Sequence, residues 1–195
     1  MTEQTRIAST GIHGLDLALD GGVPAGTRMV VISPPLCGID LFARQFWTAE
    51  EKNGTYLMLD TEPLPGMTDA RGLSLPRMAE LIRGSRVVID SLSTVIRVFG
   101  IEETVEELMH GPADALAGGT TILSILYAGL HTPAEEARIL RSADIIFTLD
   151  QTLRGSEYER ILSIHKLPGM RVPERVIPYH ITADGLELST TSRIV

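Results

Sequence analysis

The sequence has a single cysteine, Cys37, so no intrachain disulfide can form. That usage fits a reducing compartment. No stretch of 18 apolar residues occurs, which excludes an ordinary membrane-spanning helix. Met1 to Thr10 is polar and offers no apolar secretory core, so the expected location is cytoplasmic. No run of Lys or Arg appears, and the net charge is −8 with a pI near 5.1. Duplex nucleic acids are bound chiefly by cations that neutralise phosphates, so this balance argues against a nucleic-acid partner. Aromatics make up only 5% of the chain, so the core must be mostly aliphatic. The histidines His13, His110, His131, His165 and His180 are scattered, without the spacing of a metal site. There is no tandem repeat, no low-complexity segment and no linker long enough to divide the chain.

What is present is a chain of 195 residues, 44% hydrophobic and 22% charged. That is the composition of a folded globular protein, of a length that suits one domain over residues 1–195. Short apolar runs alternate with helical stretches. Arg28 to Ser33, Tyr56 to Asp60, Arg86 to Asp90, Thr120 to Tyr127 and Asp144 to Asp150 read as strands. Between them Ile39 to Glu51, Leu75 to Arg83, Ser91 to Phe99, Glu102 to Leu116 and Pro133 to Ser142 read as helices. Asn53-Gly54, Gly84, Gly100 and Gly118-Gly119 supply the breaks. The strands are nearly continuous apolar runs, the mark of a parallel sheet covered on both faces. Tyr158 to Leu167 and Val176 to Leu188 follow with no helix between them. They predict a C-terminal antiparallel strand pair added to the sheet.

A strand, a glycine-containing loop and a helix form the local context of a phosphate-binding loop. There the backbone amides and the helix dipole meet an anion. A working GxxxxGK[ST] loop adds a lysine for the β/γ-phosphates and a hydroxyl for Mg²⁺. Here the loop reads Ser33-Pro34-Pro35-Leu36-Cys37-Gly38-Ile39-Asp40. Gly38 fits the second glycine, whereas Ser33 stands for the first glycine, Ile39 for the lysine and Asp40 for the hydroxyl residue.

The order of the remaining motifs resembles that of the RecA-superfamily ATPases of the KaiC and RadA type. Ser9-Thr10-Gly11-Ile12-His13-Gly14-Leu15-Asp16 is similar to the STGI-x-GLD opening, and Gly21 to Gly26 to the GGIP-x-G turn. Val87 to Ser93 resembles the Walker B segment. Ser142-Ala143-Asp144, Lys166-Leu167-Pro168-Gly169 and Ile181 to Leu186 resemble the late AD, KMRG and IT-x-x-G segments. The resemblance implies a RecA-like α/β fold, with a mostly parallel central sheet flanked by helices. It also implies assembly with copies of itself or with a related ATPase or regulatory protein. In such a family Asp90 would hold Mg²⁺, and acids at Asp60 and Glu62 would activate the attacking water. Lys166 would reach a neighbour's nucleotide, although Pro168 stands where an arginine is expected.

The substitutions in the loop point away from ATP chemistry. Phosphoryl transfer relies on positioning and charge stabilisation. Ile39 removes a cation, and Asp40 places a carboxylate at the helix start, where it substitutes for the anion. The expectation is a non-catalytic module that regulates or scaffolds. The alternative is a weak or divergent Mg-ATP-binding ATPase using Asp60, Glu62 and Asp90. Each candidate also has a structural reading: Asp90 as a strand-end acid, Glu62 as a loop acid and Lys166 as a solvated charge. Cys37, near a helix N-terminus, could have a lowered pKa, but no base accompanies it. The acidic run Glu102, Glu103, Glu106 and Glu107 reads as a solvated helix face, or as a docking surface for a basic partner.

Overall fold

The computed structural model describes residues 6–50, 54–169 and 171–189. Glu51 and Asn53, which the sequence places in a helix end and a turn, lie outside them. Among the described residues a nine-stranded sheet forms the centre. Its strands are β3 (Arg28–Ser33), β4 (Gly54–Met58), β5 (Thr68–Asp69), β6 (Arg86–Asp90), β7 (Thr121–Tyr127), β8 (Ile145–Arg154), β9 (Glu157–Lys166), β10 (Ile177–Thr182) and β11 (Gly185–Leu188). The order across the sheet is β11-β10-β9-β8-β3-β7-β6-β4-β5. The strands from β8 to β5 run parallel, whereas β9, β10 and β11 pair antiparallel. Two short strands, β1 (Ile7–Ala8) and β2 (Val23–Pro24), pair separately. The expected mostly parallel sheet with antiparallel C-terminal strands is therefore present. The run from Val176 to Leu188 is two strands rather than one, because the turn before Gly185 folds it into a hairpin.

Alternate residues of the central strands feed two cores. On one face Met29 and Val31 of β3 join Ile125 of β7 and Phe147 of β8. They meet α1 (His13–Ala18) and α2 (Ile39–Thr48), whose Ile39, Phe42, Ala43 and Phe46 recur at helical spacing. On the other face Val30, Ile122 and Leu126 meet α3 (Leu75–Glu80), α4 (Leu92–Phe99) and α7 (Pro133–Ser142). Burial on both faces explains the continuous apolar runs in the sequence.

The single helix expected over Glu102 to Leu116 is broken into pieces. α5 (Ile101–Thr104) passes into a π-helical segment, Val105–His110, closed by Gly111 N–H donating to Glu106 O at 2.8 Å. Pro112 then interrupts, and α6 (Ala113–Ala117) follows. A proline has no amide hydrogen to continue the ladder, which accounts for the break.

The opening motif is a lock on the fold. Asp16 accepts from Ser9 Oγ at 2.5 Å and from Thr10 N and Thr10 Oγ1, both at 2.6 Å. Gly11 has φ +78°, and a Cβ there would lie 2.1 Å from the Gln45 carbonyl oxygen. Arg86, 1% exposed, ties this segment to α2 by donating to Ser9 O at 2.6 Å and Phe46 O at 3.1 Å, with Glu50 at 3.0 Å. The late acid Asp144 accepts from Arg28 N and Nε at 2.9 and 3.0 Å, fixing β3 beside the start of β8. The Gln45 side chain pairs with the backbone of Leu186 in both directions, at 2.8 and 3.2 Å.

Candidate functional site

The loop between β3 and α2 lies at the carboxyl end of the parallel strands, where α/β sheets place their ligand sites. Gly38 is the N-cap of α2 in the left-handed region, φ +83°. A Cβ on it would press on Ile181 and Leu186 of the C-terminal hairpin at 3.1 and 3.3 Å. Tyr179 of β10 donates to Cys37 O at 2.7 Å. Ser33, wholly buried, turns its hydroxyl to Pro34 O at 2.7 Å. The hairpin thus packs on the loop and holds it. Cys37 is fully buried, and burial pushes its thiol up, which removes the reading of a thiol activated by the helix start.

Ile39 is 4% exposed and belongs to the core shared by α2 and the sheet. The lysine position is therefore filled by a packing residue. Asp40 does not take the place of an anion on the loop amides. Its carboxylate instead accepts from Arg44 Nη2 at 2.7 Å, one helical turn on, with its side chain 60% exposed. The spacing of Asp40 and Arg44, four residues apart on a helix, announces this pair in the sequence.

Asp90 ends β6 and is 5% exposed. It accepts from Tyr56 Oη at 2.5 Å. Burial pushes its carboxyl up to about 6, against the pull of the Tyr56 hydroxyl and with the charges of Asp60 and Asp40 adding. The same three acids, after burial, push Tyr127 up to about 12. Asp40 and Asp60 thus lie close enough to Asp90 to raise its carboxyl. Asp60 also accepts a hydrogen bond from Thr94 Oγ1. Tyr56 is the partner that sequence reasoning misses: it needs the β4–β6 register, in which Tyr56 lies opposite Val88 and Met58 opposite Asp90.

Glu62 stands apart from these acids. It is 86% exposed and pairs with Arg71 at 2.8 Å, beside Asp69, and Arg71 holds its carboxyl below the usual range. Lys166 donates to Ala143 O at the end of α7, so its ammonium serves the fold. Among the described residues no group of three His, Cys, Asp or Glu side chains is placed to hold a metal ion. With one Asp90 oxygen bonded to Tyr56 and no further ligands gathered around the other among the described residues, the acids do not fit the Mg²⁺ role that the resemblance implies. The acidic run from Glu102 is largely solvated, with Glu102 paired to Arg138 at 2.9 Å. No described helix is long and apolar enough to cross a membrane.

A sequence model of the family described as "ATPase: KaiC" matches residues 67–193, about two thirds of the chain. The match begins beyond the 33–40 loop and takes in Asp90 and the C-terminal strands. Among solved structures the chain is similar to a KaiC-like protein from the hyperthermophilic archaeon Pyrococcus horikoshii OT3. The TM-score is 0.78 at 19% identity, covering 95% of this chain and 100% of that one. At such identity the likeness is one of fold. No curated protein matches the sequence.

Proposed function

Because the chain belongs to the KaiC family of ATPase domains, we propose that it is a non-catalytic member of that family. In this reading it acts as one module, regulating or scaffolding through self-association or through a related ATPase or regulatory protein. One observation carries the proposal: Ile39, at the lysine position, is buried in the core, and the carboxylate of Asp40, at the hydroxyl position, is paired to Arg44. A triphosphate brings several negative charges to its loop and depends on cations to balance them. Where such a cation is needed Ile39 offers only a buried alkyl chain, and Asp40 adds a carboxylate.

The test is isothermal titration of Mg-ATP into the wild-type protein and the Ile39→Lys/Asp40→Thr variant, with a thermal melt of each. The expected result is no heat of binding from the wild type. Micromolar binding by the wild type would overturn the proposal and favour the divergent ATPase, whose turnover should then vanish in Asp90→Ala. Light scattering behind size exclusion tests the assembly half. A strict monomer at all concentrations removes self-association and leaves only a hetero-partner.

A further inference from the structure

Beyond the loop, α4 with Leu130 and His131 borders a cleft of about 610 Å³. Its walls include Asp60, Ser93, Arg97, Tyr127, His131 and Glu135. Ser93 and Arg97, four residues apart on α4, project to the same side of the helix. Ser93 Oγ accepts from Tyr127 N at 2.9 Å and meets His131 Nε2 at 2.9 Å. One lone pair of the hydroxyl is thus filled, and among the described residues no other acceptor is bonded to it. In the tautomer in which Ser93 donates its proton to Nε2, the ring proton sits on Nδ1 as a donor.

Each acid of the cleft has one carboxylate oxygen engaged. Asp60 accepts from Thr94 Oγ1, and Glu135 accepts from Thr132 N and Oγ1, both at 2.8 Å. The donors are not engaged. Arg97 makes no hydrogen bond or ion pair among the described residues, and neither does His131 Nδ1 make a hydrogen bond. Ile96 and the 68% exposed Leu130 add apolar wall. A planar guanidinium matches a carboxylate with two parallel bonds. Asp60 and Glu135 weigh against a doubly charged phosphate. We propose that this cleft binds a monocarboxylate with an apolar body, through Arg97 and His131.

Saturation-transfer NMR and isothermal titration with phenylacetate and isovalerate test the proposal, with phenylacetamide and inorganic phosphate as controls. Both acids should bind, and the amide and phosphate should bind at least about tenfold more weakly. Arg97→Gln should weaken the acids by about tenfold or more without moving the melting curve, since Arg97 is exposed and holds nothing in the fold. Equal binding of acid and amide, equal binding of phosphate, indifference to Arg97→Gln, or no binding of either acid at millimolar concentration each overturns the proposal. A leucine-ended peptide and its C-terminally amidated twin distinguish the sources of this chemistry. Tighter binding of the free-ended peptide than of isovalerate assigns the site to a polypeptide terminus, the reverse assigns it to a small metabolite, and either ordering supports the carboxylate class.

Discussion

Replacing Asp90 by asparagine isolates what a buried carboxyl does to this fold. Its pKa of about 6 in the folded protein compares with about 3.9 for an unfolded aspartate. A raised folded pKa means that the native state holds the proton more tightly than the unfolded chain does. The stability so gained is fully present below about pH 4 and is lost as pH rises through about 6. A difference of about two pH units corresponds to about 3 kcal/mol. Asparagine has the same shape, never ionises and can accept the Tyr56 hydroxyl through Oδ1. Its effects independent of pH cancel when the comparison is made between two pH values. Relative to wild type, Asp90→Asn should therefore gain about 3 kcal/mol between about pH 4 and about pH 8. Urea denaturation followed by circular dichroism across that range measures it. A constant difference between the two proteins at every pH would refute the reasoning. Millimolar Mg²⁺ that stabilises the wild type near pH 8, but not Asp90→Asn, would return Asp90 to the role of metal ligand.

Three further substitutions read the parts of the fold that hold the loop's surroundings. Arg86→Lys keeps the charge but cannot reach Ser9 O, Phe46 O and Glu50 together. It should cost about 3 kcal/mol in chemical denaturation, and a loss too small to measure would show that the buried fork is dispensable. Gly11→Ala and Gly129→Ala form a matched pair, with φ +78° and +77°. The first drives a Cβ to within 2.1 Å of the Gln45 carbonyl, whereas the second meets nothing within 4 Å. Gly129→Ala should cost about 1 kcal/mol and Gly11→Ala clearly more; equal losses would contradict the close approach of the opening motif to α2.

The parallel core was legible because burial on both faces leaves an unbroken apolar signature. Arg28–Ser33, Arg86–Asp90 and Pro133–Ser142 match the expected boundaries residue for residue. The helix over Glu102 to Leu116 was misread because its apolar period continues through the π-helical segment, while Gly111-Pro112 ends the ladder. At the site, the substitutions in the loop were visible, but their destinations were not. Asp40 reads as an anion substitute from its position at the helix start, yet Arg44 one turn away draws its carboxylate outward. Tyr56, Tyr179 and the Ser93–His131 pair come together through strand register and loop packing, over separations of 34, 142 and 38 residues. No local pattern encodes contacts of that range.

The motifs shared with the family divide by what their side chains touch. Asp16, Gly11, Asp144 and the turn before Gly185 touch other parts of this chain, so replacing them would unsettle the fold. A phosphate-binding lysine or hydroxyl touches the ligand, so its loss leaves the sheet intact. Ile39 goes a step further, because the position now contributes to the core. Restoring lysine there removes an alkyl side chain whose burial contributes about 1.5–3 kcal/mol, and the ammonium must reach past Gly38 and the hairpin to water. Ile39→Lys alone should therefore lower the thermal midpoint markedly, and Asp40→Thr, at an exposed site, should not. If Ile39→Lys melts like the wild type, the loop has room for the lysine and the site is closed by charge alone.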